Sequence, residues 1–150
     1  MKLKQLYQEF VKLFMSKDGQ IIKADFKEEN EKFDWFTDGF SIWALPKNHP
    51  FNLESRDLTF YKNARGIGKD VIKVSRLPNL EDKDLIKLET SDKNVYMFLD
   101  ERKLKWYDKG FGLKIYSYGN DVYKNICQVY EADELRGLIL GVRVSEEKQC

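Results

Sequence analysis

At 150 residues, 42% hydrophobic and 14% aromatic, the chain carries enough apolar material for one domain with a packed core, which argues against a disordered polypeptide. Lys and Arg number 26 against 25 Asp and Glu; a net charge of +1 leaves nucleic-acid binding by bulk charge without support, so any basic surface has to be local. Two cysteines, Cys127 and Cys150, make no disulfide framework and have no metal-ligand partner at useful spacing, so no cofactor or metal is expected. Gln5, Gln8, Glu9 and Lys12 interrupt the N-terminal segment, which is not expected to act as a signal peptide. No run reaches transmembrane length, so a cytoplasmic protein without membrane contact is expected.

In chain order, Leu3, Leu6, Tyr7, Phe10, Val11, Leu13 and Phe14 recur at helical spacing and predict an amphipathic helix over 3–16, stopped by Asp18-Gly19. Alternation predicts a strand over 20–27. Phe33 to Leu45 reads as a hairpin, because Asp38-Gly39 stands between two runs of aromatic and β-branched residues. Pro46 and Pro50 end this meander. The segment at about 46–84 is less regular: a short helix is expected over 53–65, a strand over 71–76 and a turn at Leu77-Pro78-Asn79. Gly66-Ile67-Gly68-Lys69 lacks phosphate-loop spacing and reads as a plain turn.

Strands are expected at 85–90 and 94–100. Asp100 is a suitable N-cap for a second helix over 101–108. Strands at 111–118, 122–131 and 135–144 follow, then a loose charged tail over 145–150. Each end of the chain therefore reads as a helix followed by three antiparallel strands. The expected fold is a single α+β domain over 1–150, made of two such units related by a pseudo-two-fold, with the helices on one face.

Three stretches resemble the DNA sliding clamp domain of the bacterial DNA polymerase III beta subunit type. Phe36-Thr37-Asp38-Gly39-Phe40-Ser41-Ile42 is similar to that family's ATDGHRL hairpin. Val95 to Trp106 is similar to the strand and helix that open the second half of a clamp domain, and Leu135 to Val144 to its closing strand. Phe40 stands where the family has His, and Gly141 where it has Pro. The resemblance implies a single-domain relative of phage or prophage type. It implies helices that meet the phosphates of duplex DNA, here through Lys4, Lys12, Arg102, Lys103, Lys105 and Lys109. It further implies a partner-peptide groove walled by Leu138, Leu140 and Val142, and assembly of a homo-oligomeric ring through strand edges at 135–144.

Basic side chains on a helix face suit sequence-independent phosphate contact, but they also suit an ordinary solvated face. His49 is the only histidine and lies in a proline-flanked loop, so a His-based nucleophile system is not expected. Asp70 with Glu81-x-Lys83 has the residue types of a metal nuclease in a pattern that a highly charged chain produces by chance. The expected function is thus non-enzymatic: a clamp-like accessory to DNA replication or recombination, binding DNA or a polymerase-type protein. The alternative is a phage inhibitor or decoy that blocks a host protein such as a defence nuclease, and a nuclease ranks third. Trp35, Trp43 and Trp106 could stack bases or anchor a partner, although core positions are expected for at least two of them.

Overall fold

The computed structural model describes residues 1–16, 20–77, 84–119 and 121–144. The expected helix stop at Asp18-Gly19, the turn at Pro78-Asn79, Glu81 and Lys83, and the tail over 145–150 lie outside the described residues.

Helix α1 spans Leu3–Met15, as the periodicity predicts. Leu6 and Phe10 are fully buried, and Leu3, Tyr7 and Leu13 pack partly buried around them. Burial of a side chain such as Phe10 contributes about 1.5–3 kcal/mol, which is what holds a helix with no N-cap side-chain bond in place.

Ten strands follow: β1 (Ile22–Asp25), β2 (Phe33–Thr37), β3 (Ser41–Pro46), β4 (Ser55–Asp57), β5 (Lys69–Arg76), β6 (Leu85–Thr90), β7 (Tyr96–Asp100), β8 (Gly112–Tyr116), β9 (Ile126–Glu131) and β10 (Glu134–Leu140). They form one mixed sheet in the order β4-β1-β2-β3-β10-β9-β8-β5-β6-β7. Among the described residues, β1 and β4 are the one parallel pair. The meanders β1–β3 and β8–β10 meet through their last strands, with Leu138 opposite Ile42.

Side-chain alternation divides the sheet into two apolar faces. Phe36, Trp43, Leu45, Cys127, Val129 and Ile139 point to the inner face, against α1. Trp35, Ile42, Ala44, Ile126 and Leu138 point to the outer face. A strap of two 3₁₀ turns, Thr59–Tyr61 and Asn63–Arg65, covers that outer face. Fully buried Gln128 tethers the strap, since its Nε2 donates to the carbonyls of Ala64 and Gly66, each at 2.7 Å. A Cβ on Gly68 would come within 2.3 Å of Gln128 Oε1, so the strap's exit needs glycine.

Two helix-plus-three-strand units related by a pseudo-two-fold are not what forms, and the α+β clamp architecture is corrected to a ten-stranded mixed sheet with, among the described residues, a single α-helix. Glu101–Leu104 is one 3₁₀ turn. Asp100 caps it as expected, accepting from Arg102 N at 3.0 Å. From there to Asp108 only Leu104 and Tyr107 are buried. With the partly buried Trp106 they make too short an apolar stripe to stabilise a helix against its nucleation cost. The residues expected to form a helix over 53–65 likewise form β4 and the strap.

The face meant for the second helix is covered by the β6–β7 hairpin. Ile86, Leu88, Met97 and Leu99 alternate into the inner core beside Ile115 and Val129. The far edge of the sheet thereby returns to the chain beyond β10, where Val142 N donates to Phe98 O at 3.0 Å. A Cβ on Gly141 would lie 3.2 Å from Met97 Cε and 3.3 Å from Phe98 O, which accounts for glycine there. Strand β10 is paired on both sides, so the edge expected to carry ring assembly is already occupied within the chain. Among the described residues no helix is long and apolar enough to cross a membrane.

Candidate partner-binding cleft

The β2–β3 turn is fixed by its own side chains. Asp38 Oδ1 accepts from Phe40 N and Ser41 N, both at 2.9 Å, and Thr37 Oγ1 accepts from Gly39 N at 2.9 Å. Gly39 has φ +96°, a left-handed conformation that favours glycine. This turn holds the Phe40 ring outward, 64% exposed. What sets Phe40 apart from the other exposed apolar side chains is that the backbone of its turn is fixed by three hydrogen bonds.

Opposite Phe40 stand the capped turn at 100–104 and the residues after it. Together with Glu9 and Leu13 of α1 they enclose a cleft of about 390 Å³. The Lys103 ammonium lies over the Phe40 ring, 5.2 Å from its centroid, and that of Lys105 lies 4.5 Å from the Trp106 ring. The charges of the cleft are unevenly engaged. Asp38 is held by backbone amides, while Asp100 binds Arg102, with Nη2–Oδ2 2.8 Å and Nε–Oδ1 3.0 Å. These bonds to Arg102 hold the Asp100 carboxyl below its ordinary pKa. Among the described residues, neither Lys103 nor Lys105 forms an ion pair, although the Lys103 charge also acts on Asp100, and Glu9 and Asp38 are acids of the cleft without a cation.

Of the basic residues expected to meet phosphates, the fold brings together Arg102, Lys103 and Lys105. Lys4 and Lys12 are exposed on α1, and Lys109 is exposed in the turn before Gly110; none of the three lines the cleft. Of the expected groove walls, Leu138 is fully buried in the outer-face core. Leu140 is partly buried against that core, and Val142 against Phe98 and Leu77. Phe40 was not singled out from sequence as a contact residue. Its signal was present nonetheless: a large aromatic directly after a turn glycine, where the register places it beyond the sheet.

A second exposed surface lies on the strap. Phe60, 68% exposed, stacks on Tyr118 with centroids 5.6 Å apart, and Tyr116 meets Tyr118 at 5.0 Å. Ile67, 97% exposed, shares with Tyr116 an open cavity of about 670 Å³. The cations of that cavity are paired, Lys62 with Glu28 at 3.0 Å and Arg65 with Glu31 at 2.6 Å.

The groups that could do chemistry are engaged structurally. His49 Nε2 lies 2.7 Å from Asp34 Oδ2, and Nδ1 accepts from Phe51 N at 3.0 Å. The amide fixes the tautomer with the proton on Nε2, leaving no lone pair for a metal or for a substrate proton. Burial opposes ionisation of Asp34, but hydrogen bonds from Lys47 and His49 and the charge of Lys23 outweigh it and bring its pKa down to about 2. Burial pushes the Cys127 thiol up to about 12, so it stays protonated. Asp70 lies 3.8 Å from Lys114. Among the described residues no group of three His, Cys, Asp or Glu side chains is placed to hold a metal ion. Compared with protein-family models, curated proteins and solved structures, the chain finds no match.

Proposed function

We propose that this chain is a non-enzymatic binding protein whose contact surface is the cleft between α1, the Asp38-Gly39 turn and residues 100–106, and that its partner is anionic there. The observation that carries this reading is the uneven engagement of charge: Asp38 and Asp100 are held by hydrogen bonds, while Lys103 and Lys105 form no ion pair and lie over the rings of the exposed Phe40 and of Trp106. An aromatic anchor that is ordered before binding loses little entropy on contact, and a cation beside it adds selectivity for a negative partner. The replication role implied by the resemblance needs two helical faces lining a ring. With α1 the only α-helix among the described residues, only the binding role is carried forward.

Retention on immobilised heparin, a generic polyanion, tests the reading. Lys103→Glu with Lys105→Glu is expected to abolish retention, while Lys4→Glu with Lys109→Glu leaves most of it. Equal loss from both pairs would mean a diffuse charge effect and would sink the cleft as the contact surface.

A second reading, an inhibitor that docks on a host protein, is favoured by the contiguous apolar surface of Phe60, Tyr116, Tyr118 and Ile67, where all the cations are paired. In that case Ile67→Asp would abolish capture of the host protein and the Lys103/Lys105 pair would not.

A further inference from the structure

The cleft's ligand class can be narrowed. Resting on the binding role above, we infer that the cleft takes single-stranded nucleic acid, with one base stacked on Phe40 and the adjoining phosphates met by Lys103 and Lys105. Three observations converge on this. The Phe40 ring is exposed on a turn whose backbone is fixed by three hydrogen bonds, so its position is set before binding and its open face can take a base. Sequence-tolerant strand binding uses this pairing of an aromatic platform with adjacent cations. The two available ammoniums lie beside aromatic rings, so a phosphate can be met where a base would stack.

The same observations favour a single strand over a duplex. A duplex hides the faces of its bases and offers mainly phosphates, whose attraction grows with the number of cations presented. Here the whole chain has a net charge of +1, and Arg102, bound to Asp100, is not free for a phosphate. Two cations are few for a duplex surface. They suffice for a short strand whose binding rests on stacking, and the concave cleft suits an unstacked nucleotide better than a convex double helix.

Anisotropy of a labelled short oligodeoxythymidylate, a duplex of the same length and heparin decides the matter. The single strand is expected to bind at least about tenfold more tightly than the duplex, and Phe40→Ala to weaken it about tenfold, the order of one stacked base. Phe40→Trp should restore it. Because Phe40 is exposed, the fold of both variants is expected to match the parent by circular dichroism. Two phosphate contacts predict a slope of log K against log salt of about −1.4, from about −0.7 per contact, flattened by Lys103→Gln with Lys105→Gln. Duplex binding equal to single-strand binding, or no effect of Phe40→Ala, would overturn the inference. If heparin still binds through Lys103 and Lys105 in that case, the anionic-partner role stands. Failure to bind all three ligands would overturn both.

Discussion

The two meanders β1–β3 and β8–β10 make an instructive pair. Each was expected to carry a helix on its inner face, and both present alternating large apolar side chains there. The first is covered by α1, which supplies Leu6 and Phe10 fully buried and three partly buried neighbours over thirteen residues. The second is covered by β6 and β7, which supply Ile86, Leu88, Met97 and Leu99 from two strands. The difference shows that a sheet face takes whichever neighbouring segment offers enough inward apolar area, whatever the order of elements along the chain suggests. The segment at 101–108 offered Leu104 and Tyr107, and the hairpin offered more.

The largest effects should come from the two covers themselves. Phe10→Ala is expected to cost about 3–5 kcal/mol and Leu88→Ala about 2–5 kcal/mol, because both side chains are fully buried. Urea denaturation followed by tryptophan fluorescence measures both. The comparison breaks if Leu88→Ala leaves the global midpoint unchanged and only speeds exchange within the hairpin, since β6–β7 would then be an appendage.

Next in size is the tether on the outer face of the second meander. Gln128→Leu removes both N–H donors to the carbonyls of Ala64 and Gly66 and leaves the buried Ala64 carbonyl unpaired, for an expected loss of about 1–3 kcal/mol. Hydrogen exchange of residues 59–68 should rise by more than that of β9 itself. Uniform acceleration across β9 and β10 would mean that the strap has no stability separable from the sheet.

What could be read from the sequence follows the length of each pattern. Helix α1, the Asp38-Gly39 hairpin, β6 and the cap at Asp100 were legible because several residues at one period, or one turn with its own side-chain bonds, decide them locally. The second helix does not form because a good cap at Asp100 does not make a helix without an apolar stripe behind it. The strap was illegible for a different reason. It depends on Gln128 more than sixty residues away, and a polar residue in an apolar strand does not reveal which carbonyls it will meet. In the cleft, the basic cluster at 102–105 was legible. What places Phe40 opposite that cluster is not local, because the Asp38-Gly39 turn and residues 100–106 are more than sixty residues apart and meet only in the folded sheet.

On the inner face of the first meander, Asp34 supplies a pH test of the same comparison. Its folded pKa of about 2 lies below the model-compound value of 3.8. The stabilisation is therefore fully present above about pH 4 and is lost as pH falls toward 2. At 12% side-chain exposure the shift corresponds to about 2 kcal/mol. Urea midpoints across that window should fall in the parent and change less in Asp34→Asn. An unchanged acid profile in the variant would place the acid sensitivity elsewhere.

The smallest expected effect tests the segment that failed to become a helix. Asp100→Ala removes the cap of the 3₁₀ turn and should cost about 1 kcal/mol, with faster exchange confined to residues 101–106. If the turn were the true counterpart of α1, the loss would be global and as large as that of Phe10→Ala.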